Sequence, residues 1–509
     1  MTTDPLAQLR ALLHGEPSEE VWEAVCRCFR GLDGALREMA LEYAQEHLER
    51  WPDRLRKGPS EPTRQVPWWP LVRTLHFGSS TTGPEQIKAL VASGRLAGVT
   101  SLDLSHNTIG PEGAKVLAAS PQVSDLTTLN LNFNNIGSDG AAALAASKHL
   151  AGLQTLEWVE NLIGEEGFEA LASSKHLGGL TTLNLRDNRV GDAGAVALAA
   201  SKSLVNLTSL DLSANRMGYK GARALAASPI LGNLDALELN DNGLGTWAVR
   251  ALGGSRHLAG LRRLGLRGAA INSSGARALA VAKHLGNLNW LDLSCNEVED
   301  EGAAALASAR FVGHLTWLGL HGCWIGDEGV RALTSGQGLG SLESLDLSAN
   351  EVGAQGAAAL AQDVSLARLA TLNLKENDIG AQGAVALASS SVLGSLVALN
   401  LSANFIGHKG VEALTQSKIL GNLTTLNLTH CRAGEGSAKL LAASTALPSL
   451  EILTLNYNWI GERGATALVT SPHLSNLREL HLHDCGIGDW EAANRVKQAS
   501  IHPNLVIYA

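Results

Sequence analysis

A leucine recurs every 27 residues from Leu75 to Leu480, and Ile507 takes the next place in the series. Most occurrences open an LxL triplet: LDL at Leu102, LNL at Leu129 and Leu183, LDL at Leu210, LEL at Leu237. The series runs on through Leu264, Leu291, Leu318, Leu345, Leu372, Leu399, Leu426 and Leu453, and Leu156 fills its place as LEW. Residues 75 to 506 are therefore sixteen repeats of one length, without insertion or deletion. A period this strict constrains the fold before any local motif does. A single short repeat cannot bury its apolar face alone, so neighbours must stack into one continuous core.

The repeat from Leu183 reads LNLRDNRVGDAGAVALAASKSLVNL. Its LxL part alternates as a short strand does, leucines inward and the intervening residue outward. Asn188, five places after the first leucine, is suited to hydrogen-bond the backbone where the chain leaves the strand. GDAG is expected to turn the chain, its acidic residue suiting the dipole of the helix that follows. AVALAAS is expected to be one short helix whose small residues allow close packing on the strand layer. Many of the chain's 54 glycines are thus turn positions of the repeat and not phosphate loops. No GxxxxGK[ST], GxSxG or HExxH stretch is present.

The pattern LxLxxNxIGxxGAxALA resembles the leucine-rich repeat family, specifically its ribonuclease-inhibitor-like type. The resemblance implies an α/β solenoid, a horseshoe with a parallel sheet on its concave side and helices on its convex side. The family includes ribonuclease inhibitor, sensor regions of intracellular innate-immune receptors and a GTPase-activating protein for a small nuclear GTPase.

The ends depart from the repeat. PLAQLRALL, SEEVWEAVCRCF and GALREMALEYAQEHLERW, within residues 1–57, carry apolar positions at helical spacing. They suit a helical cap over the first repeat or a small companion domain, similar to the one some bacterial repeat proteins carry there. Residues 58–71 hold four prolines and suit a linker. Residues 72–489 are the solenoid, and 490–509 a C-terminal cap made of a last helix and a closing strand.

Composition removes several function classes. The net charge of −9 lacks the basic footprint of a nucleic-acid binder. No run approaches the ~20 apolar residues that span a bilayer. The start MTTDPLAQLRALLHG has no basic region leading into an apolar stretch, so it does not suit a signal peptide. Six cysteines, in no pattern that suggests a disulfide framework, point to a reducing, cytoplasmic setting.

Candidate chemistry yields to the repeat at each point. Eleven repeats have Asn at the fifth place after the leucine, and three have Cys323, Cys431 or Cys485 there. A buried cysteine is a small apolar group with a weak donor. Cys323 and Cys431 are four repeats apart, about 19 Å at ~4.8 Å per strand, too far for a disulfide or a shared metal. Cys295, one place earlier in its repeat, is expected to be more exposed, and the CRC of Cys26 and Cys28 lacks zinc-site spacing. His149, His176, His257, His284 and His473 share one column, but no carboxylate or cysteine completes a ligand set. They follow the helix, where a polar or cationic group suits the C-terminal dipole. We expect no catalytic residues, no metal and no cofactor.

The outward place between the strand leucines carries Asp103, Glu157, Asp211, Glu238, Asp292 and Asp346. An open sheet offers little to shift carboxyl pKa values for acid–base work. An acidic concave stripe that favours a basic protein partner is the better reading. Departures from the consensus gather between Leu237 and Trp324: Ala248 beside Trp247, Ala269, Asn272 and Glu299 replace expected residues. The column before the strand leucine, mostly Ser or Thr, here reads Arg263, Trp290, Trp317 on successive strands, about 5 Å apart. Gly265 and Gly319 leave space beside the rings, Arg267 and His321 lie one outward step on, and Trp324 follows its strand. Phe405, Tyr457 and Trp459 form a second cluster. Exposed Trp and Arg most often anchor interfaces; the competing reading is a local cation–π stack without a partner.

These residues point to a non-enzymatic, cytoplasmic scaffold that binds another protein on its concave face, with neither nucleic acid nor membrane as its target. The alternatives are a regulator of a GTPase or nuclease, by fold analogy alone, and a structural or self-assembling repeat array.

Overall fold

The computed structural model describes residues 4–61, 64–336 and 338–509. It falls into two compact units, Met1–Leu237 and Glu238–Ala509. Both are α/β repeat solenoids, with parallel strands on one side and helices on the other.

The first unit opens with three helices: α1 (Pro5–Leu13), α2 (Glu19–Arg30) and α3 (Gly34–Leu48). Each of the first two starts where its sequence can satisfy free backbone donors. Asp4 accepts from the Leu6 N–H and Ser18 from the Val21 N–H. Glu19 and Glu20 at the start of α2, with Arg27 and Arg30 at its end, complement its dipole. Trp22, Val25 and Phe29 on α2 are buried. The helices are tied to the first strand, Thr74–His76, by polar contacts. Trp22 Nε1 donates to Lys57 O at 2.9 Å, and the Gly58 N–H to Thr74 O at 2.8 Å. Arg56 is buried, donating to Leu71 O and Leu48 O, and burial lowers its pKa to about 10. The described residues of the proline-rich stretch 58–71 include packed side chains as well as turns. Trp68 and Leu71 are buried, and Trp69 Nε1 donates to Arg95 O at 2.9 Å. Pro62 and Thr63 of that stretch lie outside the described residues.

Every repeat strand is three residues long, and pairing within each unit is parallel and in register. Leu75, Leu102, Leu129, Leu156, Leu183 and Leu210 align in the first unit. Leu264, Leu291, Leu318 and Leu345 begin the same series in the second, which ends on Leu480 and Ile507. The aligned leucines are buried and the residues flanking them mostly half-buried, as period-2 alternation requires.

The helix begins earlier than the sequence places it. GDAG is its first turn, not a connection ahead of it: the helix runs Gly191–Ala199. Gly191, at φ +59°, reverses the chain in one residue and frees Asp192 to Gly194 for helical dihedrals. Gly194 has no room for a side chain: a Cβ there would lie 2.8 Å from Val190 Cγ1, just ahead of its own helix, and 3.2 Å from Phe168 Cβ of the preceding helix. The acidic residue of this turn acts on the next repeat. Asp192 Oδ1 accepts from the Gly218 and Gly221 N–H groups, Asp300 from those of Gly326 and Gly329, and Asp327 from those of Gly353 and Gly356. Each carboxylate caps its neighbour's helix.

Two side-chain columns link successive repeats. The asparagines form the first: Asn134 Nδ2 donates to Leu104 O in the previous repeat and to Leu131 O in its own. Serines that follow many of the helices form the second. Ser147 donates to Ala118 O and Ser174 to Ala145 O, both at 2.6 Å and both into the preceding repeat. The same oxygens accept from His149 N and His176 N. The histidine column thus marks a short turn whose ordering residue is the serine two places before it.

Two of the consensus departures have local explanations. Asn272 stands at φ −98° and caps its own helix, accepting from the Gly275 N–H at 3.1 Å. Glu299 holds the glycine conformation, φ +59°, on an exposed side chain. Left-handed backbone costs a residue with a Cβ about 1–2 kcal/mol, and a first-turn carboxylate recovers roughly 0.3–1 kcal/mol of that. Glu299→Gly is therefore expected to stabilise the chain by about 1 kcal/mol. Urea titration followed by circular dichroism checks this, and a lower midpoint refutes it.

At the C-terminal end, Asp489 caps the helix Trp490–Ala499, and the strand Val506–Tyr508 pairs with Glu479–His481. Among the described residues, no helix is long and apolar enough to cross a membrane.

Candidate functional site

The strand face of the second unit brings four of the singled-out residues into one row. The strands Arg263–Gly265, Trp290–Asp292 and Trp317–Gly319 are neighbours, with Arg263, Trp290 and Trp317 in direct register. The two indoles stack at 4.3 Å between centroids and 10° between planes. The Arg263 guanidinium lies over the other face of Trp290, 3.4 Å from the ring centre. Glu238 pairs with Arg263 Nε, and Asn240 Nδ2 donates to the same carboxylate at 2.9 Å. The row therefore orders itself: carboxylate, guanidinium, indole, indole.

This packing changes two expectations. Both tryptophans are half-buried rather than exposed, because each covers the other and Arg263 covers Trp290. The space over the glycines is also filled. A Cβ on Gly319 would fall 2.4 Å from Trp317 Cη2, and one on Gly265 would fall 1.7 Å from Glu238 Oε2. The glycines admit the row's own side chains. Beyond Trp317, the next residue in register is Ser344, so only a small side chain stands beside the far face of that indole.

His321 belongs to a separate polar group. Its Nδ1 is 2.8 Å from Ser348 Oγ, and that hydroxyl donates to Asp346 Oδ1. Here the hydroxyl sits between imidazole and carboxylate. Ser348 gives its proton to Asp346 and accepts from His321, so the imidazole positions the serine and does not activate it as a nucleophile. Arg267 contributes its backbone N–H to Asn240 Oδ1 at 2.9 Å.

The acidic stripe is held locally. Asp103, Asp211, Asp292 and Asp346 each accept from the backbone N–H two residues on. Asn130, Asn400 and Asn427 do the same. This turn is why the column alternates between Asp and Asn, a signal in the sequence that charge alone hides. Glu157 accepts from Asn184 Nδ2 at 2.8 Å, and burial holds its carboxyl above the usual carboxylate range.

The remaining aromatics stand on the loops after the strands. Trp324 is 63% exposed, Tyr457 58% and Trp459 82%. Trp324, Phe405 and Tyr457 have left-handed backbones, but so do Arg189 and Arg216, so the conformation belongs to the repeat and only the side chains differ. Phe405 is partnered: the Arg432 guanidinium lies 4.2 Å from its ring and His430 meets it edge-on at 5.6 Å. Trp459 lies across Gly486. Arg432 and Ser348 are contributors that pattern reading does not single out.

The cysteines of the asparagine column are buried donors. Cys323 Sγ donates to Leu293 O and Cys431 Sγ to Leu401 O, both at 3.1 Å. Burial pushes these thiols up to about 12 and about 11. A thiol so protonated is a poor nucleophile. Cys295 is exposed, as its place predicts.

This arrangement of strand, asparagine column and helix is the signature of a known repeat class. The family model for the Leucine Rich repeat matches ten segments: residues 99–118, 124–145, 180–199, 203–226, 287–307, 314–333, 341–361, 369–388, 446–469 and 473–489. Over those ten segments the chain is built of leucine-rich repeats. Among solved structures it is similar to the protein of a TLR13–ssRNA13 complex, at 23% identity and a TM-score of 0.51, over 76% of this chain and 50% of that one. The chain thus spans half the length of that relative. Rad7 in its complex with Elc1 from yeast aligns over 96% of this chain and 91% of its own, at 16% identity and a TM-score of 0.45. An internalin, InlF of Listeria monocytogenes, aligns over 84% and 93%, at 18% and 0.38. These likenesses concern the fold. No curated protein matches the chain.

Proposed function

We infer that the chain is a non-enzymatic recognition scaffold of the ribonuclease-inhibitor-like type that binds another protein across its strand face. In such a solenoid that face is the concave one. The observation that carries this reading is the Arg263–Trp290–Trp317 row. Elsewhere the column holds mostly Ser or Thr, so the scaffold does not require indoles there. A stack already ordered by its own neighbours loses little freedom on binding, which favours affinity. The open side of Trp317 beside Ser344 offers an apolar surface next to Asp346 and His321. Trp324, Phe405, Tyr457 and Trp459 extend the contact along the loops, with Arg267 at its edge. The carboxylates of the strand face favour a partner with a basic surface and disfavour nucleic-acid phosphate.

In this reading residues 1–57 are the N-terminal cap, 58–71 join it to the solenoid of residues 72–489, and 490–509 close the other end. Six free thiols suit a cytoplasmic, reducing setting.

The test replaces the row with the residues its column otherwise carries. Trp290→Thr/Trp317→Ser is expected to melt within a few degrees of the parent chain. Capture of a basic partner protein from the native host should fall at least about tenfold, as for loss of two interface anchors. Undiminished capture, or a captured species that proves to be RNA, would sink the proposal.

A further inference from the structure

The N-terminal helices carry a second surface, remote in sequence from the aromatic row. On α3, GALREMALEYAQEHL, the buried residues Ala40, Ala44 and Leu48 define the inward side. Leu36 and Met39, on another side of the helix, are 48% and 59% exposed. Between α1 and α3 lies a groove of about 240 Å³, lined by Leu6, Leu9, Met39, Ala40 and Tyr43. Glu42 and Glu46 stand at its rim.

Those two glutamates continue a row. Glu38, Glu42 and Glu46 are four residues apart on one line of α3, and Glu49 follows the helix. All four are exposed and none has an ion-pair partner among the described residues. Like charges at this spacing weaken the helix that carries them. Arg10 is the one cation in the groove lining, and it lies over the Tyr43 ring, 5.6 Å from its centre. The rim is therefore net negative beside an apolar floor. From Glu38 to Glu49 is about 16 Å along a helix, or roughly three turns.

We propose that the α1–α3 groove docks a basic amphipathic helix of a partner protein. Its apolar residues enter beside Leu6 and Met39, and its Lys and Arg side chains, at matching four-residue spacing, face the glutamate row. Charge complementarity selects this occupant over an acidic or neutral one, and the flexible thioether of Met39 accommodates varied apolar side chains. Helix-in-groove recognition of this kind reads anchors at i, i+3, i+4 and i+7.

A labelled amphipathic peptide of leucine and lysine, titrated with the full chain and followed by fluorescence anisotropy, tests the assignment. Its leucine–glutamate counterpart is the control. Saturable, salt-sensitive binding of the lysine peptide alone is expected. Met39→Glu and Glu42→Lys/Glu46→Lys should each weaken it at least about tenfold. Glu42→Gln/Glu46→Gln should weaken it less, and all three variants change exposed side chains, so they keep the parent's circular dichroism. Trp290→Thr/Trp317→Ser should leave it unchanged, which separates this surface from the strand face. Binding that ignores the groove substitutions overturns the proposal. Self-association of the chain that Met39→Glu abolishes overturns it too, because the occupant is then a second copy.

Discussion

Replacing Asn188 with alanine is expected to destabilise the chain by about 3–5 kcal/mol. Asn188 is fully buried. Its Nδ2 donates to Trp158 O at 2.6 Å and to Leu185 O and Arg186 O at 3.1 Å. Its Oδ1 accepts from the Asn161 and Ile163 N–H groups at 2.9 and 3.4 Å. One side chain thus satisfies backbone groups in two repeats at the point where both leave the strand. Truncation leaves carbonyls and N–H groups buried without that partner, at about 1–3 kcal/mol each. The chain supplies its own control. Cysteine at this column keeps one of the donations: Cys485 Sγ reaches Leu455 O at 3.0 Å, as Cys323 and Cys431 reach their carbonyls. Asn188→Cys should therefore lose about half as much, retaining a weak donor and only a weak acceptor. Urea midpoints followed by circular dichroism decide between them. A repeat array need not unfold in one step, so hydrogen exchange in the strand Thr182–Asn184 and its neighbour Thr155–Glu157 should report the same order. An alanine variant within about 1 kcal/mol of the parent would show that water replaces the amide.

The asparagine column is legible in the sequence because its partners lie in its own and the adjoining repeats and eleven repeats restate it. The same periodicity places the strand leucines and the buried cysteines. What escapes such reading is any contact whose meaning is set by the neighbouring repeat. Asp192 stands at the start of its own helix, yet its acceptor oxygen serves the next helix, 26 and 29 residues on. In SKHL the histidine draws attention, while Ser147 makes the contact that matters, 29 residues back. The site shows the same limit. Which residues share the row follows from register, and that much is legible. How much of each indole stays open does not follow, because it depends on ring rotation. Gly319 looks like space beside Trp317 until the ring is seen to occupy it.

The serine column also predicts where the second unit is most easily opened. It is present at Ser390, Ser417 and Ser444, which donate to Ala361 O, Ala388 O and Thr415 O. Four successive repeats before them lack it, with Ala282, Ala309, Gly336 and Asp363 in its place. Alanine and glycine have no hydroxyl. Asp363 accepts from Ser365, but an ionised carboxylate has no proton to donate to the preceding helix. The same stretch has Ala269 and Cys323 in the asparagine column and the left-handed Glu299. Each missing link removes about 1 kcal/mol between neighbours, so opening three in succession is easier by roughly 3 kcal/mol, about a hundredfold in exchange rate. The helices Ser273–Ala280, Glu299–Leu306 and Asp327–Ser335 should therefore exchange well ahead of Gly380–Ala388 and Gly407–Thr415. Ala309→Ser, placed to reach the Ala280 carbonyl as its counterparts do, should slow exchange locally by about fivefold. Uniform exchange along the unit would refute the effect. These three helices belong to the repeats that carry Arg263, Trp290 and Trp317 on their strands. A partner that seats on the indoles bridges those repeats from the strand side. Its binding should slow exchange most in the helices Ser273–Ala280, Glu299–Leu306 and Asp327–Ser335.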